Sequence, residues 1–122
     1  MRDTGRAAES AACDYLVRKG YRIKQRNYTI KGGEIDIIAE KDDFIVFVEV
    51  KAKTFGYDVA SYGMPSSAVT QAKRTHIKKT AASYLRTHGR NGKCPRMDVI
   101  EILIHEHEDC VSLEINHYEN AF

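Results

Sequence analysis

The sequence predicts an α/β fold in which one central mixed β-sheet is flanked by helices, in the order α-β-β-β-α-β-β. Three observations predict it. Two stretches carry apolar residues at helical spacing, the strands between and after them alternate with period two, and Gly-containing turns separate the segments. A chain of 122 residues with 43% hydrophobic content suits a single domain spanning residues 1–122 with an ordinary core.

The first helix is capped by Asp3 or Thr4 and runs to about Lys19, with Gly20 as its stop. Ala8, Ala12, Tyr15 and Leu16 form its apolar stripe. Glu9 lies within about 20° of Leu16 on a 3.6-residue helix, so it points toward the packed side. A solvated position at the stripe's edge is the alternative. "YRIKQRNYTI" alternates as a strand, with Tyr21 and Ile23 on one side and Arg22, Lys24 and Arg26 on the other. Gly32 and Gly33 supply a turn.

Residues 32–53, "GGEIDIIAEKDDFIVFVEVKAK", read as two apolar strands joined by a two-residue turn at Asp42-Asp43. That turn sets Lys41 opposite Phe44, Ile38 opposite Phe47, Asp36 opposite Glu49 and Glu34 opposite Lys51. By strict alternation Ile35, Ile37 and Ala39 share one face, and Glu34, Asp36, Ile38 and Glu40 the other. "KTFGYDVASYGMPSS" is a Tyr-rich loop, and Pro65 with Ser66 or Ser67 starts a second helix reaching about His88. Its row Val69, Lys73, Ile77, Ala81 and Leu85 is apolar except for Lys73. The strands "RMDVIEILI" and "CVSLEINHY", separated by the turn "HEHED", complete the chain.

All 19 Lys and Arg lie within residues 1–96 with 10 of the 17 acids, a net +9; the other 7 acids give residues 97–122 a charge of −7. Such asymmetry points to a basic surface for a polyanion, or to two ends that neutralise each other across the fold. No apolar run is long enough to span a bilayer, and the N-terminus lacks a secretory h-region. Three widely spaced cysteines without a C-x-x-C pair are expected as reduced thiols in a cytoplasmic protein. No phosphate-binding Gly-rich loop or Ser or Cys nucleophile motif occurs. His105 and His107 read as an exposed turn.

Two carboxylates facing each other at about 4.5–5.5 Å repel unless a proton or a cation lies between them. Asp36 and Glu49 therefore form a candidate site for a hard divalent ion, Mg²⁺ or Mn²⁺. A cross-strand ion ladder accounts for Glu34 and Lys51 but leaves Asp36 against Glu49 unexplained.

Asp36 followed by Glu49-Val50-Lys51 resembles the D…E-x-K core of the PD-(D/E)xK nuclease superfamily. Together with "GRAAESAACDYLVRKGYRI", "RNY", "GEIDII", "VFVEVKAK", the Lys73 helix, "RMDVI" and the terminal "NAF", it resembles the YraN family of uncharacterised bacterial proteins over essentially the whole chain. That resemblance implies a Holliday-junction-resolvase-like, restriction-endonuclease-like fold. It further implies that Asp36 and Glu49 are metal ligands, Lys51 the catalytic lysine and Glu9 the helix-borne acid beside the metal. Ile35 stands where the family pattern has Pro, and Lys53 where it has Arg; neither change removes a ligand. On this reading the chain is a metal-dependent endonuclease acting on DNA, with branched or damaged DNA as candidate substrates. The alternatives are a non-catalytic nucleic-acid- or partner-binding protein and an assembly protein with an incidental ion ladder. The carbonyl of Val50 would add a ligand, and Lys51 would orient water or stabilise developing charge. Lys53, Gln71, Lys73, Arg74, Arg22, Lys24 and Arg26 are the expected contacts to nucleic acid. Two-strand chemistry would favour a homodimer.

Overall fold

A computed structural model describes residues 4–55 and 70–122. They form α1 (Thr4–Arg18), β1 (Arg22–Ile30), β2 (Gly33–Lys41), β3 (Phe44–Phe55), α2 (Gln71–His88), β4 (Cys94–Glu106) and β5 (Val111–Tyr118), in the order the sequence predicts. The sheet order is β1-β2-β3-β4-β5. Neighbours are antiparallel except β3 and β4, which are parallel because α2 carries the chain back between them.

The two helices cover opposite faces. Ala8, Ala12, Cys13 and Leu16 of α1 pack with Ile37, Ala39, Val46, Val48, Ile100 and Ile102. Ile77, Ala81 and Tyr84 of α2 pack with Ile35, Ile38, Ile45 and Phe47. With both faces buried, the middle of the sheet reads as the near-continuous apolar run "FIVFV". Each fully buried Val, Ile or Phe contributes about 1.5–3 kcal/mol.

The hairpin register holds from Lys41↔Phe44 to Ile37↔Val48, with Asp42 in the left-handed region at φ 54. Gly20, at φ 95, ends the first helical segment as expected. Three expectations need correction. First, Ile35 does not share a face with Ile37: it feeds the α2 core while Ile37 feeds the α1 core. The alternation breaks at Asp36, opposite Asn27, whose left-handed φ of 53 rolls β1 at the same level. Second, Arg22, Lys24 and Arg26 do not line one face. A register shift between Ile23 and Gln25 leaves Arg22 on buried Glu40 at 2.8 Å and turns Arg26 toward Ser10 of α1 at 3.3 Å. Third, α2 begins later than expected. Thr70, in extended conformation, accepts the Lys73 N–H on its hydroxyl at 3.1 Å and caps a helix starting at Gln71.

The expected helix start at Pro65, Ser66 or Ser67, Val69, the rest of the Tyr-rich loop and Asp3 lie outside the described residues. Lys53–Phe55, expected in that loop, instead continue β3, because β4 remains available as a parallel partner as far as His105. No helix among the described residues is long and apolar enough to cross a membrane. The thiols of Cys13, Cys94 and Cys110 are free.

Candidate functional site

The candidate site forms where β2 leaves β3. Continuing the hairpin register would pair Asp36 with Glu49, Ile35 with Val50 and Glu34 with Lys51, but the ladder stops at Ile37↔Val48. Beyond it β2 pairs only with β1, where Glu34 faces Thr29, while β3 stays on β4. The expected Glu34–Lys51 and Asp36–Glu49 pairs are therefore absent from the ladder. The Val50 N–H, deprived of a backbone acceptor on β2, donates to Asp36 Oδ2 at 2.8 Å. A strand residue presents its N–H and C=O to the same side, so the Val50 carbonyl also faces this gap.

Charge accumulates at the same point. Burial pushes the Asp36 carboxyl up to about 7 against the favourable Val50 hydrogen bond, and the carboxylates of Glu49, Glu9 and Glu34 push it the same way. Acids from α1, β2 and β3 thus act on the Asp36 carboxyl, Glu9 among them from a half-buried position on α1. Glu49 is buried, and its Oε2 lies 3.2 Å from Lys73 Nζ of α2. Ile77 and Ala81 of the Lys73 row are buried, so the row directs Lys73 at Glu49. Lys51 is half-buried, without a hydrogen bond or ion pair among the described residues. The ion-pair partner of Glu49 went unread in the sequence, although its signal, a cation interrupting an apolar helical row, was legible.

The donor set suits a hard cation. Oxygen ligands from Asp36, Glu49 and a main-chain carbonyl are what Mg²⁺ or Mn²⁺ takes, and a carboxyl raised to about 7 by burial first, with Glu49, Glu9 and Glu34 adding to it, is one whose ionised form a cation would favour. Among the described residues, no three His, Cys, Asp or Glu side chains converge closely enough to hold an ion by themselves. Water, carbonyl or phosphate oxygens would have to complete the shell.

The remaining expected contacts are spread over the molecule. Gln71 is exposed at the first position of α2, and Lys24 is exposed on β1. Lys53 Nζ lies 5.8 Å from the Phe55 ring, and the Arg74 guanidinium 5.8 Å from the terminal Phe122 ring. His105 stacks on Phe55 and meets Glu114, while His107 meets Ser112.

A second buried polar centre was not anticipated. Asp98 is fully buried in β4, with Arg96 on both of its oxygens (2.9 and 2.8 Å), His117 Nε2 at 2.7 Å and the Asn120 N–H at 3.0 Å. Burial alone would raise its pKa; the hydrogen bonds from His117, Arg96 and Asn120 outweigh burial and hold it below the usual carboxylate range. An ionised carboxylate only accepts, so Nε2 carries the hydrogen, while Nδ1 lies 3.0 Å from the Tyr15 hydroxyl.

The profile of the uncharacterised protein family UPF0102 matches residues 8–102. A UPF0102 protein of Syntrophomonas wolfei is 42% identical over 121 residues, covering 99% of this chain and 98% of its own. One from Clostridium botulinum is 41% identical over 122 residues, covering 99% and 94%. One from Myxococcus xanthus is 39% identical over 102 residues, covering 84% and 78%. The chain belongs to UPF0102. Membership agrees with the family resemblance carried by the sequence motifs, and the UPF0102 profile spans Glu9, Asp36, Glu49, Lys51 and Lys73 alike.

Proposed function

We propose that this UPF0102 chain is a metal-dependent endonuclease-like protein that hydrolyses phosphodiester bonds in DNA, on a restriction-endonuclease-like fold and in the cytoplasm. The observation that carries the reading is the Asp36 carboxyl, fixed by the Val50 N–H at the break between β2 and β3 and crowded by the charges of Glu49, Glu9 and Glu34. A crowded, half-buried carboxylate is costly for stability and useful for gripping a cation. Asp36, Glu49 and the Val50 carbonyl would hold Mg²⁺ or Mn²⁺, with Glu9 as the further acid.

When bound, such an ion polarises a phosphoryl oxygen and acidifies a water. The protein's own groups supply the rest. Lys51 follows Glu49 by two residues on β3 and so projects from the same face of the strand, where it would stabilise negative charge developing on phosphate. Lys73 is shared between Glu49 and any arriving phosphate. Branched or damaged DNA is the proposed substrate class, and Lys24, Arg26, Lys53, Gln71 and Arg74 the proposed backbone contacts.

A second reading is supported by one observation. The Lys73–Glu49 pair at 3.2 Å already gives one of the two acids a cation, which suits a nuclease-fold protein that binds nucleic acid or a partner without cutting. Incubation of purified protein with supercoiled and branched DNA in Mn²⁺ separates the two. The nuclease reading expects nicking that Asp36→Asn, Glu49→Gln and Lys51→Ala each reduce by at least about 100-fold, the scale of losing one catalytic electrostatic group, with DNA affinity retained. Binding without metal-dependent cutting selects the second reading.

A further inference from the structure

We propose that a cavity beside this site receives one unpaired nucleotide of a DNA strand. The proposal rests on the nuclease reading and names a substrate feature which that reading leaves open. The cavity, about 330 Å³, lies between the first turns of α2 and the β1–β2 turn, walled by Thr29, Ile30, Glu34, Lys73, His76 and Ile77. Its volume is at the lower end of the roughly 300–1,000 Å³ in which proteins enclose small ligands. That is room for one nucleoside and too little for a base pair.

The lining matches the two ends of a nucleotide. Ile30 offers apolar surface to a base, and the buried Ile77 side chain closes the wall behind it. Glu34 accepts hydrogen bonds from exocyclic amino or ring N–H groups. The Thr29 hydroxyl donates to the Asn27 carbonyl at 3.3 Å, which leaves its own lone pairs to accept. A phosphate is repelled from the Glu34 end and drawn to Lys73 and His76, so the base enters toward Glu34 and the phosphate stays toward Lys73.

Two side chains tie the cavity to the carboxylates. Lys73 lines it while lying 3.2 Å from Glu49, and Glu34 lines it while standing two residues before Asp36 on β2. A nucleotide seated here therefore has its phosphate next to the candidate metal ligands. A base within a duplex cannot enter without unstacking, which costs a few kcal/mol and least where the base is already unpaired. The cavity thus selects DNA with a bulged, flapped or otherwise unpaired nucleotide.

The test uses wild-type protein in EDTA and a DNA duplex carrying one bulged 2-aminopurine, against the same base paired. The expected result is a severalfold rise in 2-aminopurine fluorescence and about tenfold tighter binding of the bulged duplex. Thr29→Trp and His76→Trp, both at exposed positions and both filling the cavity, should abolish the preference, and Thr29→Trp, which removes no group drawn to phosphate, should leave affinity for paired DNA unchanged. Equal affinity for the two duplexes, or a preference that survives both variants, overturns the proposal. The assay involves no cutting, so its failure leaves metal-dependent nicking of paired DNA standing; a bulge-specific binder that nicks nothing fails the nuclease reading instead.

Discussion

At the scale of single residues, Asp36 is the most consequential position in the chain. Its carboxyl titrates near 7, whereas an unfolded aspartate ionises near 3.8. Between those values the folded chain keeps a proton that the unfolded chain has lost, so the group's contribution to stability falls as pH rises through that window and levels off above it. A divalent ion binds the ionised form and competes with this proton. Added Mg²⁺ or Mn²⁺ should therefore raise the melting temperature little at about pH 6 and clearly more at about pH 8, each unit below 7 weakening the ion roughly tenfold. Asp36→Asn should remove both the metal shift and its pH dependence, measured by differential scanning fluorimetry; a metal shift independent of pH would place the ion elsewhere.

The sequence made Asp36 and Glu49 conspicuous as carboxylates within apolar strands. It could not show that the strands part at this level. Ladder geometry predicts an Asp36–Glu49 pair, but pairing of β3 with β4 and of β2 with β1 pulls the two strands apart there. The acids still act on one locus, by a different geometry from the one that alternation alone implies.

Elements set the next constraint. α2 reaches the sheet at Gly33, where a Cβ would collide with Thr80 Oγ1 and press on the His76 carbonyl oxygen at 3.3 Å. Thr80 is fully buried, with its hydroxyl donated to that carbonyl at 2.7 Å. This close approach positions Lys73 over Glu49 and closes one side of the cavity. Gly33→Ala should cost about 1–3 kcal/mol through overpacking, read from chemical denaturation, whereas Gly92→Ala meets nothing within 4 Å and bears only the penalty of its φ of 73. A Gly33→Ala protein as stable as wild type would mean that α2 can shift outward; Lys73 would then lose its fixed place.

Helix and strand types were legible because binary pattern and period 3.6 or 2 are local properties. The start of α2 was misjudged because Pro and Ser are common at helix starts, while Thr70 holds the actual cap through a bond to Lys73. The rolled β1 was missed for a similar reason. One register shift and one left-handed Asn27 exchange the faces of Gln25 and Arg26 before Tyr28 returns to the α2 side, and neither disturbs an alternating pattern enough to be seen.

For the whole molecule, Asp98 joins parts of the chain that are distant in sequence. Through His117 it reaches Tyr15 of α1, through Arg96 it reaches the Tyr21 hydroxyl at 2.7 Å, and through the Asn120 N–H it holds the segment ending at Phe122. That segment packs Phe122 onto the α2 core, so one carboxylate braces both faces of the sheet. Removing it leaves the largely buried Arg96 guanidinium with only the exposed Glu119 carboxylate, 3.8 Å away, as an ion-pair partner, and Asp98→Ala should cost about 3–5 kcal/mol. Because folding lowers this carboxyl's pKa, its contribution is fully present above the ordinary value of 3.8 and is lost as pH falls through the folded value. Asp98→Asn should flatten that part of the acid unfolding curve, followed by circular dichroism; an unchanged acid limb would assign the lability to other carboxylates.

The sequence by itself determined the element order, the hairpin register near its turn, the apolar faces of both helices and the acids to suspect, because each depends on side-chain periodicity and turn chemistry within a few residues. Only the tertiary structure decided where β2 leaves β3, that Lys73 meets Glu49, that Asp98 ties the chain ends together and that a cavity opens beside Glu34. Those outcomes depend on which strand wins each edge and how closely a helix can approach the sheet, and both are settled by contacts between residues far apart along the chain.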